Sequence, residues 1–220
     1  MNRETYLMEL FGAMLGRLGP SGWWPAQTPF EVAVGAILTQ NTNWQNVEKA
    51  IDALRAAGGL TEQGLASIEP ARLEQLIRPA GFFRQKTAKL QALVDFINAQ
   101  ADGVLANLSL LSIDELRGRL LEVKGIGPET ADSILLYALD KPSFVVDAYT
   151  KRILTRHGLL PEDVLYDEMR EFFMDVLPAD VSLFNEYHAL LVRVAKEWCH
   201  KSAPKCSECP LGPYLEYEVP

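Results

Sequence analysis

The chain has 220 residues, of which 48% are apolar, and a formal net charge of −8 at pH 7. That apolar content suffices for one domain or two small lobes, and no apolar run approaches the roughly twenty residues of a membrane-spanning helix. The N-terminus lacks the basic-then-apolar pattern of a signal peptide, so we expect a cytoplasmic protein without a membrane partner. The negative charge argues weakly against nucleic acid, although binding needs only one positive face.

Helix signals follow one another along the chain and predict an all-α fold. Thr28-Pro-Phe-Glu31 and Ser112-Ile-Asp-Glu115 read as capping boxes, and Asn43 can cap the helix that follows it. Apolar residues at helical spacing predict further helices over 83–99, 129–139, 148–157, 166–176 and 180–199. No segment shows sustained strand alternation, so we expect about ten helices with short connections.

Residues 124–127 read Lys-Gly-Ile-Gly between two predicted helices, and Pro128 follows them. Gly125 and Gly127 can adopt positive φ and allow another backbone to come close, and proline suits the first helical turn. The amides at the start of the second helix can then bind a phosphate. An ordinary corner between helices uses glycine in the same way, and this pattern alone favours that simpler interpretation.

An ordered set of motifs resembles the helix-hairpin-helix (HhH-GPD) DNA glycosylase superfamily, which contains endonuclease III. The matching segments are 37–42, 81–88, 124–127, 145–147 and a C-terminal group of cysteines. The resemblance implies a two-lobed fold, with a six-helix lobe over 26–142 and a second lobe formed by 1–25 and 143–220. It also implies double-stranded DNA with a damaged base as the partner, and a monomeric enzyme associated with the nucleoid.

Asp147 matches the family's catalytic aspartate, although by itself it reads as a helix N-cap. Breaking an N-glycosidic bond builds positive charge on the sugar, which a carboxylate can stabilise, or the carboxylate can orient water. Both roles are compatible, since a helix terminus helps to keep the carboxylate ionised. Glu129 stands where the family's lyases have a lysine, and a carboxylate cannot form a Schiff base. We therefore expect a monofunctional glycosylase without AP lyase activity.

The base pocket predicted from the resemblance is aromatic. Trp23, Trp24, Pro25 and Trp44 resemble the pocket residues of the bacterial 3-methyladenine DNA glycosylase branch, and Glu129 is either a fifth pocket residue or a favourable first-turn acid. An indole face attracts a positively charged alkylated purine, whereas the same tryptophans could also be core residues. We expect removal of a base such as 3-methyladenine. The alternatives are an endonuclease III-like enzyme for oxidised pyrimidines and a non-catalytic DNA-binding module.

Gln40 lies at the family's wedge position, where an amide can fill the hole that a flipped base leaves; without the resemblance it would read as a polar residue at a helix end. The DNA contacts that we expect are Gln40, Asn41, Lys124, Gly125, Ile126 and Gly127.

The three cysteines of the chain, Cys199, Cys206 and Cys209, have the spacing of the first three ligands of the family's [4Fe–4S] loop. Leu215 stands where the fourth cysteine would be, so a cluster needs another group to complete it. We favour a cluster at this loop, and a zinc site or a metal-free loop are the alternatives.

Overall fold

The computed structural model describes residues 2–23 and 26–215, and that part of the chain is all-α, with no strand. This confirms the predicted fold class. The helices are α1 (Arg3–Leu18), α2 (Pro29–Leu38), α3 (Trp44–Ala56), α4 (Glu62–Ala66), α5 (Pro70–Leu76), α6 (Phe83–Ala101), α7 (Ile113–Glu122), α8 (Pro128–Ser133), α9 (Ala148–Arg156), α10 (Tyr166–Met174) and α11 (Val181–Glu197). A π-helical turn, Ile134–Ala138, continues α8. Among the described helices none is long and apolar enough to cross a bilayer.

The chain divides into two compact units, which we call the central unit (26–141) and the terminal unit (2–23 and 142–215, within the described residues). The central unit is built around α2, in which every residue from 30 to 38 is buried. A helix that is buried on all sides must be surrounded by other elements. Here α3, α6, α8 and the π-helical turn pack against α2 and together form the core.

The terminal unit is formed by α1, α9, α10 and α11, with α11 packed against both α1 and α9. Its core holds aromatic side chains, and the rings of Phe144 and Phe173 stack with their centroids 4.0 Å apart. The Tyr187 hydroxyl donates to the Leu7 carbonyl over 2.8 Å, which ties α11 to α1. Both ends of the chain therefore contribute to one core.

Side-chain caps begin several helices, as the sequence predicted. Thr28, Asn43 and Ser112 each accept a hydrogen bond from the backbone N–H three residues ahead. The first capping box is only half formed, however. The Glu31 carboxylate is buried and pairs with Arg55 of α3 at 2.7 Å. A buried charge is costly without a charged partner, so the ion pair replaces the second capping hydrogen bond.

Candidate active site

The hairpin of the central unit joins α7 to α8 through residues 123–127. Gly125 has φ +91°, and a Cβ there would lie 2.4 Å from Cγ of Lys89, so this position requires glycine. Gly127 differs from the expectation, since its φ is −95° and a Cβ would meet open space. The physical reason is that the residue before Pro128 is driven to an extended conformation.

The predicted DNA contacts of the hairpin are not equally available. Lys124 is exposed, whereas the Ile126 side chain is buried in the core. The Ile126 N–H donates to the Val123 carbonyl over 3.0 Å and closes the turn. Ile126 therefore holds the hairpin in place, and Lys124 and the start of α8 are the parts that can meet a phosphate.

A buried ion pair joins the two helices of the hairpin. Nε of Arg117 on α7 lies 3.0 Å from Oδ1 of Asp132 on α8, and its Nη2 lies 3.1 Å from Oδ2. The Asp132 side chain is fully buried. A bidentate pair fixes orientation as well as distance, so it sets the angle at which α7 and α8 leave the glycine turn.

Gln40 is hydrogen-bonded to the hairpin. Its Nε2 donates to the Gly125 carbonyl over 3.2 Å and to Thr130 Oγ1 over 2.9 Å, while Lys89 Nζ donates to its Oε1. The structure thus brings two predicted contact residues, Gln40 and Gly125, together. Its neighbour Asn41 is exposed with φ +53°, so the chain turns sharply after α2.

Lys86, which also belongs to a matched motif, is buried rather than available to phosphate. Its side chain is 1% exposed, and Nζ donates to the carbonyls of Leu38 and Ala80 over 2.8 Å each. Burial, and secondarily the nearby Lys89, lowers the pKa of Lys86 to about 8. The contact with Leu38 fixes the end of α2, two residues before Gln40.

Phe82 is a candidate contact residue that the sequence interpretation missed. It is 60% exposed and has φ +45°, in the left-handed region that non-glycine residues rarely adopt. Strain of this kind persists only where the surroundings impose it, and it is common at functional sites. Phe82 immediately precedes α6, close in sequence to the exposed Arg84. An aromatic residue directly after Gly81 was the available signal.

Asp147 is the N-cap of α9 in the terminal unit. Its Oδ1 accepts bonds from the Thr150 N–H (2.7 Å) and the Thr150 hydroxyl (3.0 Å), and its Oδ2 lies 3.6 Å from Nε2 of His188 on α11. Burial raises the pKa of Asp147, but His188 and the Thr150 bonds together outweigh it, so the pKa lies below the ordinary value of 3.8. The carboxylate is therefore charged at neutral pH. His188 was not predicted from the sequence.

The remaining predicted pocket residues are distributed over both units. Trp44, the first residue of α3, is half-buried and lines a cavity of about 520 Å³ in the central unit, together with Glu31, Glu48 and Arg55. Glu129 is half-buried in the first turn of α8. In the terminal unit Trp23 is half-buried, and its backbone N–H donates to Ser21 Oγ over 3.2 Å. The predicted pocket residues Trp24 and Pro25 lie outside the described residues.

The cysteine loop is held by arginines of α9. Arg152 donates to the carbonyls of Cys199 and Ala195, and Arg156 donates to the His200 carbonyl and, over 3.1 Å, to Sγ of Cys199. Both arginines therefore help to hold the cysteine loop against α9. The sulfur of one predicted ligand already receives a guanidinium N–H.

The cluster that we expect at the same loop stays a prediction. Within the described ranges no three His, Cys, Asp or Glu side chains are grouped closely enough to hold a metal ion. Burial raises the pKa of Cys209, and the other two cysteines, Cys199 and Cys206, act in the same direction. Leu215 offers no donor at the fourth position.

Comparison with known proteins gives a family. The model of the HhH-GPD superfamily of base excision DNA repair proteins matches residues 34–179. The "Putative DNA repair glycosylase MJ1434" of Methanocaldococcus jannaschii is 44% identical over 212 residues, which are 96% of each chain. The endonuclease III of Thermotoga maritima is 29% identical over 86% of this chain and 83% of its own length.

Solved structures agree with that result. The H. pylori 3-methyladenine DNA glycosylase (MagIII) bound to 1,N6-ethenoadenine is 30% identical, with a TM-score of 0.77 over 90% of this chain and 98% of its own. An endonuclease III–DNA complex has a TM-score of 0.80 at 22% identity, over 96% and 94% of the two chains, which shows a shared fold. The chain therefore belongs to the HhH-GPD superfamily of base excision DNA repair proteins and is a DNA glycosylase.

Proposed function

We propose that the protein is a monofunctional glycosylase that hydrolyses the N-glycosidic bond of an alkylated purine in double-stranded DNA, with Asp147 as its essential carboxylate. One observation carries the proposal. The carboxylate is largely buried and yet held ionised by Thr150 and His188. A charge maintained under those conditions is suited to stabilise a cation.

The reaction needs little more than that charge. As the bond between C1′ and the base nitrogen breaks, its electron pair moves to the alkylated base, whose positive charge is thereby neutralised. Positive charge then develops on the sugar, where the Asp147 carboxylate stabilises it and orients the attacking water. The oxygen of water forms the new bond to C1′, and its proton passes to the carboxylate or to solvent.

Alkylated purines are the proposed substrates because the cavity beside Trp44, which we propose as the base pocket, is aromatic and partly anionic. The cavity beside Trp44 is lined by three carboxylates, those of Glu31, Glu48 and Asp52, and by two cations. An indole together with surplus negative charge favours a cationic base over a neutral one. The MagIII glycosylase, 30% identical, is described as a 3-methyladenine enzyme. Trp44→Ala should slow release of alkylated purine without weakening binding to undamaged duplex.

The proposed DNA contacts lie on the hairpin and the loops near it. Lys124, the start of α8 and Arg84 supply positive charge for phosphates, and this compensates for the negative charge of the whole chain. Gln40 can enter the duplex only after it gives up its bonds to Gly125 and Thr130, so DNA binding must replace them. The exposed ring of Phe82 offers a second surface on which a base can stack.

Absence of lyase activity follows from the chemistry of Glu129 in the proposed site. Borohydride traps the Schiff base of a lyase as a stable protein–DNA adduct, so the parent protein should give no adduct with DNA containing an abasic site. Glu129→Lys, which restores the amine, should give one. A parent protein that is trapped as efficiently as this variant would contradict the monofunctional assignment.

The deciding experiment offers the protein matched duplexes that carry either 3-methyladenine, 7-methylguanine or an oxidised pyrimidine, and identifies the released base. We expect release of the alkylated purines, with strand breakage only after alkali. Release of oxidised pyrimidines alone would instead favour the endonuclease III-like function suggested by the T. maritima relative. Tight binding without any release would favour the non-catalytic alternative.

A further inference from the structure

His188 lies against the carboxylate that the proposed reaction uses. It is on α11, and its side chain is 8% exposed, while that of Asp147 is 13% exposed. The two oxygens of Asp147 have different neighbours. Oδ1 is held by Thr150, whereas Oδ2 faces Nε2 of His188 at 3.6 Å. Both residues belong to the terminal unit, in which α9 and α11 pack together.

Other charged and polar side chains on the helices of the terminal unit form hydrogen bonds of their own. On α9, Lys151 donates to the Val164 carbonyl and Arg152 to the Cys199 carbonyl. On α11, Glu186 accepts from Ser21, and Arg193 donates to the Leu18 and Gly19 carbonyls. On α1 and α10, Tyr6 donates to the Tyr214 carbonyl and Arg170 donates to Ser143. The interaction with His188 lowers the pKa of Asp147, and Nε2 of His188 lies 3.6 Å from Oδ2.

We infer that His188 is a positioning residue for the proposed glycosylase reaction, which directs its Nε2–H at Oδ2 of Asp147 and keeps that carboxylate ionised and in one orientation. The inference rests on the proposed function, because it assigns a role to His188 only through Asp147. Helix capping by Thr150 constrains one oxygen, and the imidazole constrains the other. Together they prevent rotation of the carboxylate away from the sugar.

Burial of the Asp147 carboxyl disfavours its charged form. Burial raises the pKa of Asp147, and His188 is the largest of the causes that lower it again, ahead of the Thr150 bonds. A distance of 3.6 Å is too long for an ordinary N–H···O bond. Hydrogen bonds of catalytic groups are often long without substrate and shorten when it binds. We therefore expect the His188–Asp147 contact to shorten when damaged DNA is bound.

Two variants separate positioning from packing. His188→Leu fills the space but has no donor, whereas His188→Gln places an amide N–H near the position of Nε2. His188→Leu should lower the single-turnover rate of base release at pH 7 about tenfold or more, because the carboxylate is no longer held in one orientation; tenfold corresponds to about 1.4 kcal/mol of lost transition-state stabilisation. His188→Gln should stay within about threefold of the parent rate. Ser182→Leu, at an exposed position of the same helix, serves as the control.

The pH dependence of the base-release rate distinguishes the two roles, because loss of packing alone would not shift it. Without the donor, the pKa of Asp147 rises, so the acidic limb of the His188→Leu rate profile should move to higher pH while duplex affinity is unchanged. An equal loss of single-turnover rate in His188→Leu and His188→Gln, with no shift in the acidic limb of either rate profile, would overturn the inference. Parental rates and profile in His188→Leu would also overturn it.

A measurement that needs no base release tests the same contact. Nitrogen-15 NMR of the histidine rings, three in this chain, reports which ring nitrogen carries the proton. We expect His188 to be protonated at Nε2 and its resonance to change in Asp147→Asn. An unprotonated Nε2 would refute the contact even if the parent enzyme releases bases. Failure of the parent to release any base would refute the proposed function and leave the NMR result to decide the contact.

Discussion

Replacing Lys86 with methionine should change how stability depends on pH. Lys86 is almost fully buried, and the pKa of its ammonium is about 8 rather than 10.5. That difference, at about 1.4 kcal/mol per pH unit, amounts to about 3 kcal/mol by which the folded state disfavours the charged form. A methionine side chain at this position has a similar volume and does not titrate.

The direction of the pH dependence of stability follows from the number of protons that Lys86 binds in the folded and in the unfolded state. Below pH 8 Lys86 is protonated in both the folded and the unfolded protein, so its contribution is constant. Between pH 8 and 10.5 the unfolded chain binds more protons than the folded one, and stability rises with pH. The parent should therefore gain about 3 kcal/mol in free energy of unfolding over this range relative to Lys86→Met.

Urea unfolding at several pH values between about 7 and 10.5 measures this difference, and the exposed Lys49→Met is the matched control. Subtracting variant from parent removes the titration of all other groups. At pH 7 Lys86→Met has two opposing effects on the free energy of unfolding. The Leu38 and Ala80 carbonyls lose their donor, which costs about 1–3 kcal/mol per buried group, whereas removal of the buried charge is stabilising. A pH-independent difference between parent and Lys86→Met would refute the reasoning.

Two further pairs of variants test the hairpin. Gly125→Ala should destabilise the protein by about 1–2 kcal/mol and weaken duplex binding, whereas Gly127→Ala, at an extended position in open space, should change neither by a comparable amount. Equal effects in urea unfolding and in a DNA-binding titration would contradict the assigned backbone conformations. Arg117→Met removes the guanidinium that pairs with the buried Asp132 charge and should cost about 3–5 kcal/mol, against less than about 1 kcal/mol for Arg119→Met, whose ion pair is exposed. Similar unfolding midpoints for the two arginine variants would show that the buried pair does not brace the hairpin.

Features set by local chemistry were predictable from the sequence. The N-caps at Thr28, Asn43, Ser112 and Asp147 depend on a side chain and an N–H three residues ahead, so the sequence contains both partners. The all-α class followed from the same local periodicity. Gly127 was misjudged because the effect of Pro128 on the preceding residue outweighs the freedom of glycine.

Features set by distant partners were not predictable. No local pattern marks Lys86 as buried, because the Leu38 and Ala80 carbonyls that accept from its Nζ are brought together only by the fold. His188 has no motif of its own, and its relation to Asp147 arises only when α11 packs against α9. Arg156 likewise acts on Cys199 across the same packing, which no spacing rule for cysteine ligands anticipates.

The central claim is that the Asp147 carboxylate performs the chemistry. Asp147→Asn keeps the helix cap, because asparagine caps as well as aspartate, and removes only the charge. Asp180→Asn, at the N-cap of α11, is the matched control. With a duplex that contains 3-methyladenine, we predict that Asp147→Asn binds as the parent does and releases base at least about a hundredfold more slowly, while the control is unaffected. Base release by Asp147→Asn at the parental rate would contradict the account.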